Sequence, residues 1–463
     1  MRIDVLVAEI GSTTTLVNAF NDVSGNAVFW GQGQAPTSVQ QGDVRIGLQG
    51  AIDALCRAKG VPSIKYREML ASSSAAGGLK MTVHGLVYDM TARAAKEAAL
   101  GAGAIIHQVT AGPLHPSDLE RLKEIHPNLI MISGGVEHGE RETALLNARQ
   151  ILDLRLSVPV IYAGNSDNHN EIALIFRESA APLYIVENVY PKIDDLNVEP
   201  ARAVIQAAFE EHIVHAPGME NVRDLVSGPI IPTPGAVMEC AKLLYTELGG
   251  LIVLDVGGAT TDIHSVTEGS QEIARISTAP EPLAKRTVEG DLGVFVNMKN
   301  VAALIGTEKL QAELGFPLEE LTANYKPVPE TANEIRYVER LTLEAAMRAV
   351  ERHAGRIRHL YGPAGRITIA EGRDLTEVRY IIGTGGALTR LPGRTGIMRS
   401  IAKRSESGTL LFPPETAEIL VDNDYIMASL GVLSKRYPEA ALRLLKKSLG
   451  LDPTNKNLEE QNE

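Results

Sequence analysis

Asp255 ends an apolar run, Leu251-Ile252-Val253-Leu254, and is followed after Val256 by Gly257-Gly258-Ala259, the hydroxyl pair Thr260-Thr261 and Asp262. A short β-branched and apolar run bounded by glycine reads as a buried strand. The glycines allow a tight turn whose bare N–H groups suit an anionic phosphate. A carboxylate at the end of such a strand is placed to hold the hydrated Mg²⁺ that a phosphate brings. Read alone, the stretch is equally an ordinary hairpin with a Gly-Gly turn. The same device recurs at the N-terminus, where Glu9 takes the place of Asp255 and Gly11-Ser12-Thr13-Thr14-Thr15 turns the chain into a second strand, Leu16 to Phe20. One such turn is weak evidence, but two, near the start of each half of the chain, can grip a polyphosphate from opposite sides.

Three further groups are candidates for the same chemistry. Tyr380-Ile381-Ile382-Gly383-Thr384-Gly385-Gly386-Ala387 is a strand breaking into a glycine-rich turn, against whose backbone a flat base or ribose could lie. Glu289-Gly290-Asp291-Leu292-Gly293 falls within Leu283–Gly306, expected to be a loop into a helix. Its two acids either order a metal-bound water or ribose, or simply cap the helix start. Glu239, Glu289 and Asp291 are the remaining acids that could activate a water, and spacing does not choose between them.

Around these groups the chain alternates. Residues 43–60 read as a helix ending near Gly60-Val61-Pro62. From about 83 to 190, strands at Val83–Val87, Ala104–Val109, Leu129–Ser133, Val158–Ala163 and Leu183–Val186 alternate with helical patterns, which predicts a parallel sheet covered on both faces. Gly134-Gly135 and Gly164 follow two of these strands and need do no more than permit tight turns. Residues 191–235 are less regular, and a helix at about 236–247 leads into the Asp255 strand. Thr331–Tyr361 is the longest helical pattern, and its arginines (Arg340, Arg348, Arg352, Arg356 and Arg358) read as a solvated face. A last helix, Tyr425–Ser434, has Asp422 or Asp424 as its N-cap, an amphipathic run covers Glu439–Leu449, and the polar tail from Asp452 is expected to be disordered.

The 463 residues allow two or three domains, and 44% hydrophobic content with 42 glycines fits an α/β protein. A net charge of −12 argues against nucleic-acid and anionic-membrane partners, which need a basic surface. No apolar run approaches the length of a membrane span, and the first residues read as a strand, not as a signal peptide. Cys56 and Cys240 are far apart and form no C-x-x-C, so reduced core thiols in a cytoplasmic protein are expected.

Taken together, the two strand–acid–glycine–hydroxyl–strand turns and the late GTGG turn resemble the actin, Hsp70 and sugar-kinase ATPase superfamily. That resemblance covers nearly the whole chain and implies an α/β, two-lobed actin-like fold made of duplicated ribonuclease-H-like lobes, here with a flavodoxin-like parallel sheet inserted in the first. The lobes would span 1–235, with the insert at 80–190, and 236–450, and would close on Mg-ATP. By the same resemblance Gly11, Ser12, Thr13 and Thr14 form the first phosphate loop, Gly257 to Thr261 the second, and Gly383, Thr384, Gly385 and Gly386 the adenosine loop. Glu9 and Asp255 would face the metal, and helices at Gly235–Leu248 and Asp424–Ser434 would form the hinge connections.

More narrowly, VAEIGSTTT, LDVGGATTDIHSV, RTVEGDLG (Arg286–Gly293) and IPTPGAVM (Ile231–Met238) look like the GlmL family, also called MutL and unrelated to the mismatch-repair protein of that name. This resemblance implies an ATP-dependent accessory protein that reactivates an adenosylcobalamin-dependent mutase, glutamate mutase or a related carbon-skeleton or amino mutase. The chain departs from the wider superfamily in three ways. Glu9 replaces the usual aspartate, Leu16 stands where several relatives carry a phosphate-contacting lysine, and the 231–239 connection lacks the acid that positions the attacking water. Slow hydrolysis, suited to a conformational switch, is therefore expected.

The order of elements in 84–165 is similar to the cobalamin-binding domains of such mutases, whose D-x-H-x-x-G loop supplies a histidine to cobalt. Asp89-Met90-Thr91 has threonine in that place, so no bound cobalamin is expected, and the segment would mimic the mutase's own cobalamin subunit. A small-molecule kinase and a non-enzymatic actin-like scaffold are the alternatives on the same fold. An iron–sulfur activating ATPase would need closely placed cysteines, which Cys56 and Cys240 do not offer.

Overall fold

The computed structural model describes residues 1–11, 14–38, 41–74, 79–214, 218–219, 221–318, 321, 325–326, 328–362, 365–403 and 408–451. Two compact units form: Met1–Ala236 with Gly431–Ala440, and Val237–Leu430 with the described residues from Ala441.

In the first unit β1 (Arg2–Ile10), β2 (Thr14–Asn21) and β3 (Val28–Pro36) form an antiparallel meander. Helix α1 (Val44–Ala58) then returns the chain to β4 (Lys65–Ser73), parallel to β1. The Asp43 carboxylate accepts the Arg45 N–H at the start of α1, and Val44, Leu48, Ala51 and Leu55 form its buried stripe at helical spacing.

The inserted segment follows as β5 (Lys80–Gly85), α2 (Arg93–Gly101), β6 (Ile105–Ala111), α3 (Pro116–Ile125), β7 (Leu129–Ile132), α4 (Glu142–Asp153), β8 (Val160–Tyr162), α5 (His169–Phe176) and β9 (Leu183–Ile185). All its strands are parallel, in the order β6-β5-β7-β8-β9. Numbered within the insert this is 2-1-3-4-5, the flavodoxin-like order. The core of the first sheet runs without a break into one face of this one, through Met81, Val83 and the alanines of α2, while Ile130, Ile132 and Tyr162 pack with Leu122, Leu145 and Phe176 on the other. Helix α6 (Glu199–Val214) lies in the segment expected to be irregular. The short β10 (Ile230–Pro232) then pairs parallel to β4 and completes the order β10-β4-β1-β2-β3, after which α7 (Thr233–Leu248) begins at once.

The second unit contains β11 (Leu251–Val256), β12 (Thr261–Val266), α8 (Gln271–Ile276), β13 (Ala284–Glu289), α9 (Met298–Ile305), α10 (Thr307–Leu314) and α11 (Ala332–His353). A hairpin of β14 (Arg356–Gly362) and β15 (Gly365–Glu371) follows, then β16 (Tyr380–Thr384), α12 (Gly385–Arg390), α13 (Arg394–Lys403) and β17 (Glu418–Val421). Helices α14 (Met427–Ser434) and α15 (Pro438–Ser448) close the described chain. The sheet order is β13-β12-β11-β16-β17, antiparallel through the first three strands and parallel through the rest. Strand for strand this repeats the first sheet, so the two lobes are duplicates of one ribonuclease-H-like topology. Ile252, Leu254, Val256 and Ile263 pack against Leu341, Ala345 and Ala349 of α11 and Ile397 and Ile401 of α13.

Two further elements differ from the sequence expectation. Leu283–Glu289 is mostly a strand and not a loop, because Lys285 and Arg286 are buried by their partners Glu281 and Asp262 and do not face solvent. Helix α11 ends at His353, where Gly355 turns the backbone to donate its N–H to the Arg373 carbonyl at 2.6 Å, so Arg356 and Arg358 lie on β14. Arg340 and Arg348 do form surface ion pairs, with Glu313, Glu344 and Glu351. Among the described residues no helix is long and apolar enough to cross a membrane, and neither cysteine is in a disulfide.

Candidate nucleotide site

The duplication extends to hydrogen bonds. The Gly11 N–H donates to the Thr14 carbonyl at 2.9 Å, and the Gly257 N–H to the Thr260 carbonyl at 3.0 Å. Glu9 and Asp255 each stand one residue before the end of the first strand of their lobe, opposite Leu16 and Asp262 on the antiparallel neighbour and Ser72 and Thr384 on the parallel one. Glu9 is 8% exposed, and its Oε1 accepts from Asn18 Nδ2 at 3.3 Å. Asn18 Oδ1 in turn accepts from Gln32 Nε2 at 2.9 Å, so a polar row crosses β1, β2 and β3. Thr37 Oγ1 donates to the Gly11 carbonyl at 2.8 Å and holds the start of the turn. Ser12 and Thr13, expected in the first phosphate loop, lie outside the described residues.

The second turn is held from below by a collar. Val294 donates its N–H to the Gly257 carbonyl at 3.2 Å, and the N–H groups of Phe295 and Val296 reach the Gly258 carbonyl at 2.9 and 2.7 Å. Asn297 Nδ2 donates to the carbonyls of Ala259 and Gly290, each at 2.8 Å. Gly293 lies so close that a Cβ there would run into the carbonyls of Gly258 and Ala259. Tyr325 steadies the collar by donating its hydroxyl to the Val294 carbonyl at 2.6 Å and stacking on Phe295. The turn's carbonyls thus point into the protein, while the N–H groups of Gly258 and Ala259 donate to no acceptor among the described residues. Such an arrangement concentrates partial positive charge at the turn's mouth, where an anion is favoured. The sequence reading missed Phe295, Asn297 and Asn18, whose contributions rest on contacts with no local motif.

Gly383, Thr384, Gly385 and Gly386 come to the same edge of the second lobe. Gly385 has φ +78°, and a Cβ there would run into the Asp255 carboxylate and the Val256 backbone. Thr384 Oγ1 donates to Asp422 Oδ2 at 3.0 Å. Asp422, fully buried, also accepts the N–H groups of Ile426 (3.2 Å) and Met427 (2.9 Å) and the Ser448 hydroxyl (2.7 Å), so it is Asp422 that caps α14. Burial and the charge of Asp422 raise the Asp424 carboxyl above its ordinary range.

The remaining acids are held by cations. Arg352 grips Asp291 with both ends of its fork, at 2.7 and 2.9 Å, and reaches Glu289 at 2.6 Å. Burial raises the Glu289 carboxyl against the pull of Arg352, whereas the Arg352 hydrogen bonds lower Asp291. Glu289 pairs with Thr261 across the strands and so borders the turn, while the Arg352 clamp makes Asp291 a poor base. Glu239, on α7, is 3.8 Å from Lys242. Asp262 accepts from Arg286 Nε at 2.8 Å and Nη2 at 2.5 Å.

Among the described residues no cluster of three or more His, Cys, Asp or Glu could hold a metal on its own. Mg²⁺ typically keeps several waters and takes one or two carboxylates together with phosphate oxygens. Asp255, partly exposed at the turn, fits that donor set. In the inserted sheet Thr91 Oγ1 accepts the N–H groups of Leu86 and Val87 and so caps the loop that follows β5.

A twice-repeated lobe opening on an acid-bearing hairpin defines the actin-like fold class. The chain belongs to the MutL protein family, whose sequence model matches residues 5–449. It is 36% identical over 459 residues to Protein MutL of Clostridium tetanomorphum, covering 96% of this chain and 98% of that one. Among solved structures it is similar to nucleotide-free acetone carboxylase (13% identity, 93% of this chain and 70% of that one, TM-score 0.42). It is also similar to nucleotide-free diol dehydratase-reactivating factor (10% identity, 95% and 100%, TM-score 0.36).

Proposed function

We propose that this protein is an ATP-dependent accessory factor that reactivates an adenosylcobalamin-dependent mutase, such as glutamate mutase, with slow ATP hydrolysis as a conformational switch. The single observation that carries the nucleotide is the Gly257–Thr260 turn, whose carbonyls are tied inward and whose Gly258 and Ala259 N–H groups are left for an anion. In this reading Gly11 to Thr14 and Gly257 to Thr261 take the phosphates, Gly383 to Gly386 the adenosine, and Asp255 and Glu9 the hydrated Mg²⁺, which supplies charge neutralisation. The family resemblance carries the partner. Asp262 and Asp291 each hold an arginine, so these two acids beside the turn are engaged in ion pairs, which supports slow turnover. Slow turnover leaves an ATP state long-lived enough to bias partner binding by its differential affinity. The reduced thiols fit a cytoplasmic setting.

The test is recovery of a mutase stalled with damaged cobalamin. Recovery should require this protein and ATP, and ADP should not replace it. Asp255→Ala should abolish Mg²⁺-dependent nucleotide binding by calorimetry while leaving the unfolding midpoint in place, because a partly exposed metal-binding carboxylate adds little to the apo core. Equal recovery with ADP, or parental ATP turnover by Asp255→Ala, refutes the proposal.

A further inference from the structure

We infer that Thr260 serves the metal ion and not the phosphate, presenting a hydroxyl oxygen that can only accept, and that Arg286 acts through Asp262 as the residue that positions it. The inference rests on the nucleotide reading above and adds a division of labour within the turn. A threonine hydroxyl has one proton to donate and two lone pairs to offer. Thr260 Oγ1 gives its proton to Asp262 Oδ2, at 3.1 Å. Asp262 cannot reverse that bond, because Arg286 is ion-paired to its other oxygen and the pair is nearly sealed from solvent, at 4% and 2% exposure. A carboxylate so paired is acceptor-only. His264, two residues along the same strand, does not compete for that carboxylate: it is fully buried, and neither ring nitrogen has a hydrogen-bond partner among the described residues. Burial first, and then the Arg286 charge, push that imidazole down to about 3 and keep it neutral.

The second hydroxyl is committed in the same way. Thr261 Oγ1 donates to the Leu292 carbonyl at 2.7 Å. Neither threonine of the pair therefore has a proton to give a phosphate oxygen, and the turn's available donors are its backbone N–H groups. What the partly exposed Thr260 retains is lone pairs, and a hard cation or the water bound to it is the species that seeks a neutral oxygen. The backbone holds the anion and the hydroxyl holds the cation. Arg286 enforces this by fixing which way the Thr260 proton points.

The experiment uses the full chain, with ATP binding measured by calorimetry in EDTA and in excess Mg²⁺, and Mn²⁺ binding to the ATP complex followed by electron paramagnetic resonance. Thr260→Val should leave metal-free ATP affinity unchanged and weaken Mn²⁺ by about tenfold, the lower end of what is lost when a residue of a metal's surroundings is changed. Asp262→Asn should weaken the metal similarly but tighten metal-free ATP, because the Asn amide, its oxygen held by Arg286, would donate to Thr260 and turn the threonine proton outward. Arg286→Lys should restore more of the metal affinity than Arg286→Met. If Thr260→Val weakens ATP equally with and without metal, the hydroxyl is a phosphate donor and the inference is overturned. It is also overturned if Thr260→Val changes neither affinity, since the hydroxyl then lies outside the site. Failure of the parent chain to bind ATP under both conditions is a different result, and it refutes the nucleotide reading itself.

Discussion

Gly385 and Gly386 are neighbours in sequence and opposites in circumstance, which makes them a controlled pair. Gly385 sits at φ +78°, and an added Cβ would strike the Asp255 carboxylate and the Val256 backbone O and N at 2.7 and 2.9 Å. The left-handed conformation alone costs a side chain about 1–2 kcal/mol. Displacing a strand backbone that cannot yield adds about 1–3 kcal/mol. Gly385→Ala should therefore destabilise the protein by about 2–5 kcal/mol, and it should also push Asp255 away from where the nucleotide's metal is proposed to sit. A Cβ on Gly386 meets nothing within 4 Å, and the residue lies in the first turn of α12. Gly386→Ala should stabilise by a few tenths up to about 1 kcal/mol through helix propensity. It should nonetheless weaken ATP, because the nucleoside is proposed to lie against that bare backbone. Urea denaturation read by circular dichroism gives both stabilities, and calorimetry gives both affinities. The reasoning is refuted if the two variants are equally stable, or if Gly386→Ala binds ATP as the parent does.

Acid should unfold the protein through its buried histidines. Burial depresses His84 to about 4 and His264 to about 3, and His353 lies well below its ordinary value, chiefly by burial and then by Lys285. All three stay neutral in the folded chain, so the stability they contribute is complete above the unfolded value of about 6.5 and is lost as pH falls towards the folded values. The slope is about 1.4 kcal/mol per pH unit for each histidine. Urea midpoints at pH 7, 6 and 5 should fall steadily, and His264→Leu should flatten the decline; a flat profile in the parent contradicts the assignment. Asp422→Ala removes the acceptor of two backbone N–H groups and two hydroxyls. It should cost about 3 kcal/mol by the usual penalty for stranded buried donors, and a loss below about 1 kcal/mol in the same assay would mean that water replaces the carboxylate.

What could be read from the sequence was local. The stretches around Glu9 and Asp255 announce themselves because strand, acid, glycine and hydroxyl follow one another within a dozen residues, and the inserted parallel sheet shows through its alternation of buried runs and helical periods. The collar of Val294 to Asn297 could not be seen, since backbone N–H groups reach back 37 or 38 residues without any side-chain signature. Strand β13 was obscured because Lys285 and Arg286 look like solvent-facing charges until their buried partners are known. The end of α11 was overrun because arginines at helical spacing continue into β14, where only the Gly355 turn marks the change. Asp422 and Asp424 were equivalent as caps on sequence grounds; the choice depends on Ser448, more than twenty residues away.

Strand β10 has a mechanical consequence. It closes the loop that begins where the inserted sheet leaves β4, it lies at the edge of its own sheet, and it is only Ile230–Pro232 long. Pro232 has no N–H to give the ladder, so this short edge pairing is weakly held. Immediately beyond it Thr233 donates its hydroxyl to Ser72 at 3.3 Å, and Ser72 is the residue paired with Glu9. A load borne by the insert, such as the grip of a partner, would thus be felt first at a weak edge strand, and from there one hydroxyl contact separates it from the row that holds the Glu9 carboxylate.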